Sequence, residues 1–367
     1  MSKVLSLGGL VCALLTVTAY AAQRPPVVYD VTALVQGSGL PLTGGKNAQL
    51  QLNWSGDKVY FEDILPGANW NHPAQIRVVN RLGKVTQSIS VQRPPDGIEN
   101  APVVSGEIEM GNSKPTFKLN TYDGKFKVSD PSKFYAILIN GHADQRHWND
   151  FSFLYRVMTQ IYGYSRENIL IADGANKEKQ NDLDGDGTND IQYSSTKQGI
   201  TDAMTELAKR VKATDHVVLA VNDHGGSEGG ESTIVTYDGE LKVSEFMPLF
   251  NAVKASKILS LFEQCYSGGF VRPTTTNSKV AMSAARNDEY SWASNDLNWD
   301  AWIYEAVVGF AMQTHDGKAV VVDTNGDGKV SASEAFAYSV SKDTASESPL
   351  LESHANSGDA LEIGLGF

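Results

Sequence analysis

Two stretches decide the fold: His216-Val-Val-Leu-Ala-Val-Asn-Asp-His-Gly-Gly226 and Lys257-Ile-Leu-Ser-Leu-Phe-Glu-Gln-Cys-Tyr-Ser-Gly-Gly269. Each opens as a short apolar run and closes abruptly on polar residues and glycines. A continuous apolar run, rather than an alternating one, marks a strand covered on both faces. The same design repeats outward from this pair. Phe134–Asn140 and Ile169–Ala172 read as further buried strands. Between the runs lie helical faces: Phe151, Leu154, Tyr155, Met158 and Ile161; Ile200, Met204, Leu207 and Val211; Ser244–Val253; and, later, Trp302, Ile303, Ala306, Val307 and Phe310. Alternating strands and helices predict an α/β domain over 131–367, with a mostly parallel sheet flanked by helices. In such sheets ligands bind beyond the carboxyl ends of the strands, so functional residues are expected just after each apolar run.

Two runs end on reactive side chains, His224 and Cys265. A parallel sheet puts both ends on one edge. The chemistry needs that pairing, because a cysteine attacks as thiolate and an adjacent imidazole lowers its pKa or manages its proton. Glycines beside both residues let a substrate backbone approach and leave the N–H groups of Gly225 and Cys265 as oxyanion donors. With 7 His and 33 Gly in the chain, a His-Gly pair alone carries no information. What carries it is the joint placement of both residues at strand ends in neighbouring β/α units. His precedes Cys, the reverse of the papain order.

Asp223-His224-Gly225 after an apolar strand, then Glu263-x-Cys265-x-Ser267-Gly268, resembles the legumain (asparaginyl endopeptidase) family of the caspase–haemoglobinase fold. Phe134–Gly141 followed by Arg146-His147-x-x-Asp150 is similar to that family's first strand and its sequel. The resemblance covers about 131–310. It implies a caspase-like domain, a Cys265 nucleophile, a His224 acid–base, and Arg146 and Glu263 in a pocket for an Asn side chain. A carboxamide carries a donor and an acceptor, so one guanidinium and one carboxylate satisfy both of its ends. Departures accompany the match. Asp144 stands where the family has the Asn that orients the imidazole, and Tyr266 follows the nucleophile in place of Glu. No third acidic wall is recognisable, although Ser283-Ala284-Ala285 with Glu289 and Ser291 falls where the pocket segment belongs. His147, beside Trp148, reads as packing, and the remaining histidines carry no pattern.

Before residue 131 the period is two: Val27, Tyr29, Val31, Ala33 and Val35; Ala48, Leu50, Leu52 and Trp54; then Ile89 and Val91, Ile108 and Met110, Phe117 and Leu119. Turn signals separate these runs, and Asp123-Gly124 reads as a hairpin. An all-β, sandwich-like domain over 22–130 is expected, with no chemical constellation of its own and no partner legible. The first 21 residues read as a secretory signal: Lys3, an apolar stretch from Val4 to Tyr20, and the small-x-small site Ala19-Tyr20-Ala21. Its removal takes Cys12 and Lys3, leaving Cys265 as the one cysteine and bringing a net charge of −12 to −13. That rules out a disulfide scaffold, leaves no stable membrane span, and argues against nucleic acid, which needs a basic footprint. A secreted or periplasmic location follows.

Two acidic loops complete the reading. Asp323-Thr-Asn325-Gly-Asp327-Gly-Lys329-Val-Ser331-Ala-Ser-Glu334 matches the EF-hand calcium loop: oxygen side chains at positions 1, 3, 5 and 9, Gly at 6, a carbonyl from Lys329 at 7, and Glu at 12. Asp182, Asp184, Asp186 and Asp190 repeat positions 1, 3, 5 and 9, but Tyr193 occupies position 12. Ca²⁺ is the expected cofactor, tying loops down rather than reacting. The overall expectation is a cysteine endopeptidase acting on protein or peptide substrates. Two alternatives remain open: a transpeptidase or transamidase using the same thioester, and a calcium-binding adhesion or structural protein.

Overall fold

The computed structural model describes residues 27–33, 40–41, 47–48, 58–63, 74–80, 82, 84–91, 101–105, 114–141, 145–174, 182–275, 278–294, 296, 298–353 and 363–366. The signal segment, the runs Leu50–Trp54 and Ile108–Met110, and Asp144 lie outside them. The chain divides into two compact units, one from residues 1–66 and 72–108 and the other from 67–71 and 109–367.

The first unit contains β1 (Val27–Asp30), β2 (Leu40–Pro41), β3 (Asn47–Ala48), β4 (Lys58–Asp63), β5 (Ala74–Val79), β6 (Val85–Val91) and β7 (Val103–Ser105). Five of these strands form an antiparallel sheet in the order β6-β5-β4-β1-β7, while β2 pairs with β3. Of the alternating positions read from the sequence, Val27, Tyr29, Val31 and Val91 are buried, Ile89 is half-buried and Ala33 is exposed. Val27 and Tyr29, Val59 and Phe61, and Ala74, Ile76 and Val78 all turn to one face, as the two-residue repeat of a pleated strand requires.

The second unit is α/β. Its sheet has the order β16-β15-β14-β10-β8-β9, from β8 (Phe134–Asn140), β9 (Ile169–Asp173), β10 (His216–Val221), β14 (Lys257–Phe262), β15 (Lys279–Ser283) and β16 (Leu350–Ser353). All neighbours pair in parallel except β15 and β16. A three-stranded antiparallel ribbon of β11 (Gly225–Glu228), β12 (Glu231–Thr236) and β13 (Gly239–Lys242) follows β10. The helices are α1 (Gln145–Arg156), α2 (Lys197–Arg210), α3 (Val243–Ala252), α4 (Gly268–Thr274), α5 (Ala301–Ala311) and α6 (Ala332–Lys342). One apolar core holds Leu138, Ile171, Ala220 and Leu261 under α1 and α5; the other holds Ile139, Val221 and Phe262 under α2 and α3. Both faces of the sheet are therefore covered, which is why its strands are apolar throughout. Among the described residues no helix is long and apolar enough to cross a membrane.

One local expectation fails. Asp123-Gly124 does not turn a hairpin; Tyr122–Gly124 is a 3-10 turn at the end of an extended segment. The alternating Phe117 and Leu119, with Tyr122 and Phe126, pack on the core of the second unit. The backbone finds its partners there too: Lys118 N–H donates to His315 O at 2.9 Å, Asn120 N–H to Gln313 Oε1 at 2.8 Å, and Val128 N–H to Tyr162 O at 2.9 Å. Alternation reported a half-buried extended chain correctly. What it could not report was which neighbour supplies the hydrogen bonds.

Candidate active site

Register sets the level of every side chain at the carboxyl edge. Val221 lies opposite Ile139 on one side and Phe262 on the other, and Asn140 lies opposite Asp173. One residue further on, Asp173, Asn140, Asn222 and Glu263 form a single row across β9, β8, β10 and β14. Each stands two residues past a member of the core beneath α1 and α5 (Ile171, Leu138, Ala220 and Leu261), so the row is the polar rim of that face. All four are buried. Asn140 Nδ2 donates to Asp173 Oδ1 at 2.7 Å, and Asn222 Nδ2 donates to Asp150 Oδ2 at 3.1 Å. The first N–H groups at the start of α5 close the row from above: Asp300 N–H donates to Asp150 Oδ2 and Ile303 N–H to Glu263 Oε2, both at 2.9 Å. Helix N-termini leave such donors unsatisfied and favour negative charge there, which offsets part of the cost of burying two carboxylates. The offset is incomplete. Burial, then Asp300, pushes Asp150 well above the usual carboxylate range, and burial, then Glu347 and Asp300, does the same to Glu263. Burial raises Asp173 to about 7.

Two residues past this row, the neighbouring strands deliver His224 and Cys265, both buried. Gly225 passes directly against the cysteine's backbone, where a Cβ would lie 2.1 Å from Cys265 O. Gly141 is as constrained, since a Cβ there would lie 1.8 Å from both Asp223 Oδ2 and Val235 O. The glycines after β8 and β10 are thus required by close approach. Tyr266 follows Cys265 with φ +60°, a strained value for a bulky residue, and its N–H donates to Glu289 O at 2.8 Å. Cys265 Sγ accepts from Ser291 N–H at 3.4 Å and from Ser291 Oγ at 3.9 Å, and donates to Ser291 O at 3.7 Å. Burial pushes the thiol up to about 12, with the Ser291 bonds opposing the shift.

Arg146 and His147 open α1 beside this pair. Arg146 Nε donates to Asp300 Oδ1 at 2.9 Å, with 13% of the arginine side chain and 0% of the aspartate exposed. His147 Nε2 lies 3.3 Å from Asp300 Oδ2 and Nδ1 lies 4.0 Å from Asp223 Oδ1, while its ring meets His224 edge-on at 4.8 Å. Expected pocket residues Arg146 and Glu263 therefore come together with Asp300, an acidic group sequence reasoning missed. Asp300 stands far from Arg146 in the chain, and the signal available for it was its place as the residue before an apolar helix, where an N-cap Asp belongs. His147, expected to pack, packs against the candidate acid–base itself. Glu289 contributes its carbonyl to the Tyr266 turn, and its side chain faces Arg286 and Ser348.

The acidic loops differ in detail. Oxygens of Asp182, Asp184 and Asp190 lie within 4.8 Å of one another. Asp190 also accepts from Tyr155 Oη at 2.6 Å and Leu183 N–H at 2.8 Å, and Arg166 pairs with Asp184 and Asp186. Tyr193 takes no part, its carbonyl accepting from Asp173 N–H. In the other loop, Asp323 accepts from Gly326 and Gly328 N–H, Asn325 from Asp327 N–H, and Asp327 from Lys329 N–H. Glu334 accepts from Thr324 and Ser331 N–H, capping α6 together with Ser331. An all-oxygen donor set fits a hard cation such as Ca²⁺ in both loops. The carboxylates of Asp182, Asp184 and Asp190 converge in the first, and in both loops a carboxylate is turned onto the loop's own amides, Asp182 accepting from Gly185, Asp186 and Gly187 N–H and Glu334 from Thr324 and Ser331 N–H.

Residues 134–325 match the model of the Peptidase C13 family. Among solved structures, the chain is similar to the crystal structure of caspase-1 from Spodoptera frugiperda, at 11% identity, covering 62% of this chain and 89% of that one, with a TM-score of 0.39. No curated protein matches the chain significantly.

Proposed function

The chain belongs to the Peptidase C13 family, the legumain family of cysteine-type peptidases, and on that premise we propose that it is an exported endopeptidase cutting after Asn or Asp, with Cys265 as nucleophile and His224 as acid–base. The observation that supports this most is the common register of β10 and β14, which brings both residues to one level of one edge. His224 takes the thiol proton as Sγ attacks the scissile carbonyl. The tetrahedral oxyanion is held by the Gly225 and Cys265 N–H groups. The C–N bond then breaks, His224 passes the proton to the leaving amine, and water hydrolyses the thioester. The P1 carboxamide is received by Arg146, donating to its oxygen, and by the carboxylates of Glu263 and Asp300, accepting from its NH₂. Glu263 Oε1 is buried with no hydrogen-bond partner among the described residues, an acceptor held ready for a donor.

Calcium belongs to this reading as a structural ion held by Asp182, Asp184, Asp186 and Asp190, and by Asp323, Asn325, Asp327, Lys329, Ser331 and Glu334; when bound it would tie down loops. Export follows from the signal segment, and N-terminal sequencing of the secreted chain should begin at Ala22. A panel of peptides differing only at P1, with Cys265→Ala and His224→Ala as controls, tests the specificity. Cleavage after Asn and Asp, lost by about 10³-fold or more in both variants, is expected; preference for Arg or Lys overturns it.

A further inference from the structure

Three residues of α1 meet Asp300. Asp150 stands one helical turn past Arg146 and His147, which places all three on one face of the helix. Arg146 Nε donates to Asp300 Oδ1 at 2.9 Å, His147 Nε2 lies 3.3 Å from Asp300 Oδ2, and Asp150 Oδ2 accepts from the Asp300 N–H at 2.9 Å. The side chain of Asp150 is also in hydrogen-bonding contact with that of Asp300. Only 1% of Asp150 and 0% of Asp300 is exposed. Two carboxyl groups in contact and cut off from water do not both ionise, so they share a proton. The surroundings say which of them carries it. Arg146 holds Asp300 charged, and His147 Nε2 is close enough to donate to it as well. Among the described residues no cation pairs with Asp150. Its Oδ2 takes both neutral donors, the Asp300 N–H and Asn222 Nδ2 at 3.1 Å, while its buried Oδ1 is reached by no donor of the described residues. An oxygen so placed is costly as a bare acceptor and well served as a hydroxyl that donates. The proton therefore belongs on Asp150 Oδ1, the direction in which burial and Asp300 both drive this group.

We propose that Asp150 is a positioning residue for the P1 pocket: as a neutral carboxylic acid it donates a hydrogen bond to the Asp300 carboxylate and fixes that carboxylate for the P1 side chain. The inference rests on the reading of Arg146, Glu263 and Asp300 as that pocket. Asp150 is itself held by Asn222 at the end of β10, so it ties the start of α5 to the strand that delivers His224. A charged Asp150 would repel Asp300 at contact distance, and an apolar residue would leave Asp300 to Arg146 and His147 alone. What the position needs is a neutral group that accepts on one atom and donates on the other. That requirement separates positioning of Asp300 from a merely structural charge at the helix end, because a carboxamide meets the first and fails the second.

The test uses the full chain as wild type, Asp150→Asn, Asp150→Ala and Asp150→Ser. Kinetics are read on an Asn-P1 peptide at pH 7, alkylation of Cys265 by iodoacetamide is read by mass spectrometry, and thermal melts are recorded alongside. Asp150→Asn keeps an oxygen for the Asn222 and Asp300 donors and an NH₂ for the Asp300 carboxylate, so KM and kcat should stay within about twofold of wild type. Asp150→Ala should raise KM about 10- to 100-fold, the scale of a hydrogen bond to a charged group, with kcat lowered far less and Cys265 alkylated at the wild-type rate. Asp150→Ser, whose hydroxyl is too short to reach the Asp300 carboxylate, should match Ala and serves if the alanine variant does not fold. The infrared difference spectrum of wild type minus Asp150→Asn should show the C=O band of a protonated carboxyl. Wild-type KM in the Ala or Ser variant overturns the proposal, as does an Asn variant as impaired as Ala, or a difference spectrum with a carboxylate band instead. If the wild type cleaves no peptide, the functional reading fails, and the infrared spectrum alone still decides whether Asp150 is the neutral partner of Asp300.

Discussion

Cys265 is wholly buried, and its thiol is pushed up to about 12. A group with that pKa is a thiol at neutral pH, so reactivity waits on proton removal rather than on a standing thiolate. The alkylation rate of the free enzyme should therefore climb about tenfold per pH unit from 6 to 10; a plateau below pH 8 would mean a preformed ion pair instead. His224 and Cys265 were legible because each stands where an apolar strand stops. The burial of the thiol beneath Ser291 was not, since it depends on a strap arriving from 26 residues along the chain. Gly225 is fixed by close approach to Cys265 O. Gly225→Ala must push its Cβ into Cys265 O, and kcat/KM should drop about 10²-fold or more, with the melting temperature recorded alongside to separate site distortion from unfolding.

The strand ends act as a row, and that row decides what the elements contribute. Asp173, Asn140, Asn222 and Glu263 share one level, and the start of α5 caps Glu263 through Ile303 N–H and the adjoining Asp150 through Asp300 N–H. Strand placement and the apolar helices were readable from run length and periodicity. The helix N-terminus meeting this row was not, because sequence periodicity fixes which face of α5 is buried but not where its first turn lands. Asp173 makes a measurable consequence. Its folded pKa of about 7 lies above the usual carboxylate value, so the native state holds a proton that the unfolded chain releases. Stability from this group is present at pH below about 4 and is lost as pH rises through 7, by about 3–5 kcal/mol at most. Asp173→Asn keeps a polar partner for Asn140 without the charge. Its melting temperature should exceed wild type at pH 8 and match it near pH 4; equal melts at pH 8 would contradict the burial account.

At the scale of the whole molecule, the acidic excess and the scarce cysteine take on specific meanings. Cys265 is the free, buried thiol at the candidate site, and part of the negative charge is gathered into two loops. If those loops hold calcium, adding Ca²⁺ at a hundredfold over its Kd stabilises the fold by about 2.7 kcal/mol per site, and excess EDTA lowers the melting temperature correspondingly. Equal melts and equal peptidase rates in both conditions would remove calcium from the account. The convergence of Asp182, Asp184 and Asp190 predicts that Asp190→Ala abolishes more of the Ca²⁺ response than Asp327→Ala, the reverse of what motif completeness alone suggests. The central claim is that this peptidase works through Cys265. The most direct measurement is mass spectrometry of the chain after reaction with a peptidyl thiol-reactive probe carrying P1 Asn. One adduct on Cys265, absent in Cys265→Ala and strongly reduced in Arg146→Ala, is the predicted result. No adduct on Cys265 in a folded chain that still cleaves the matching peptide would contradict it.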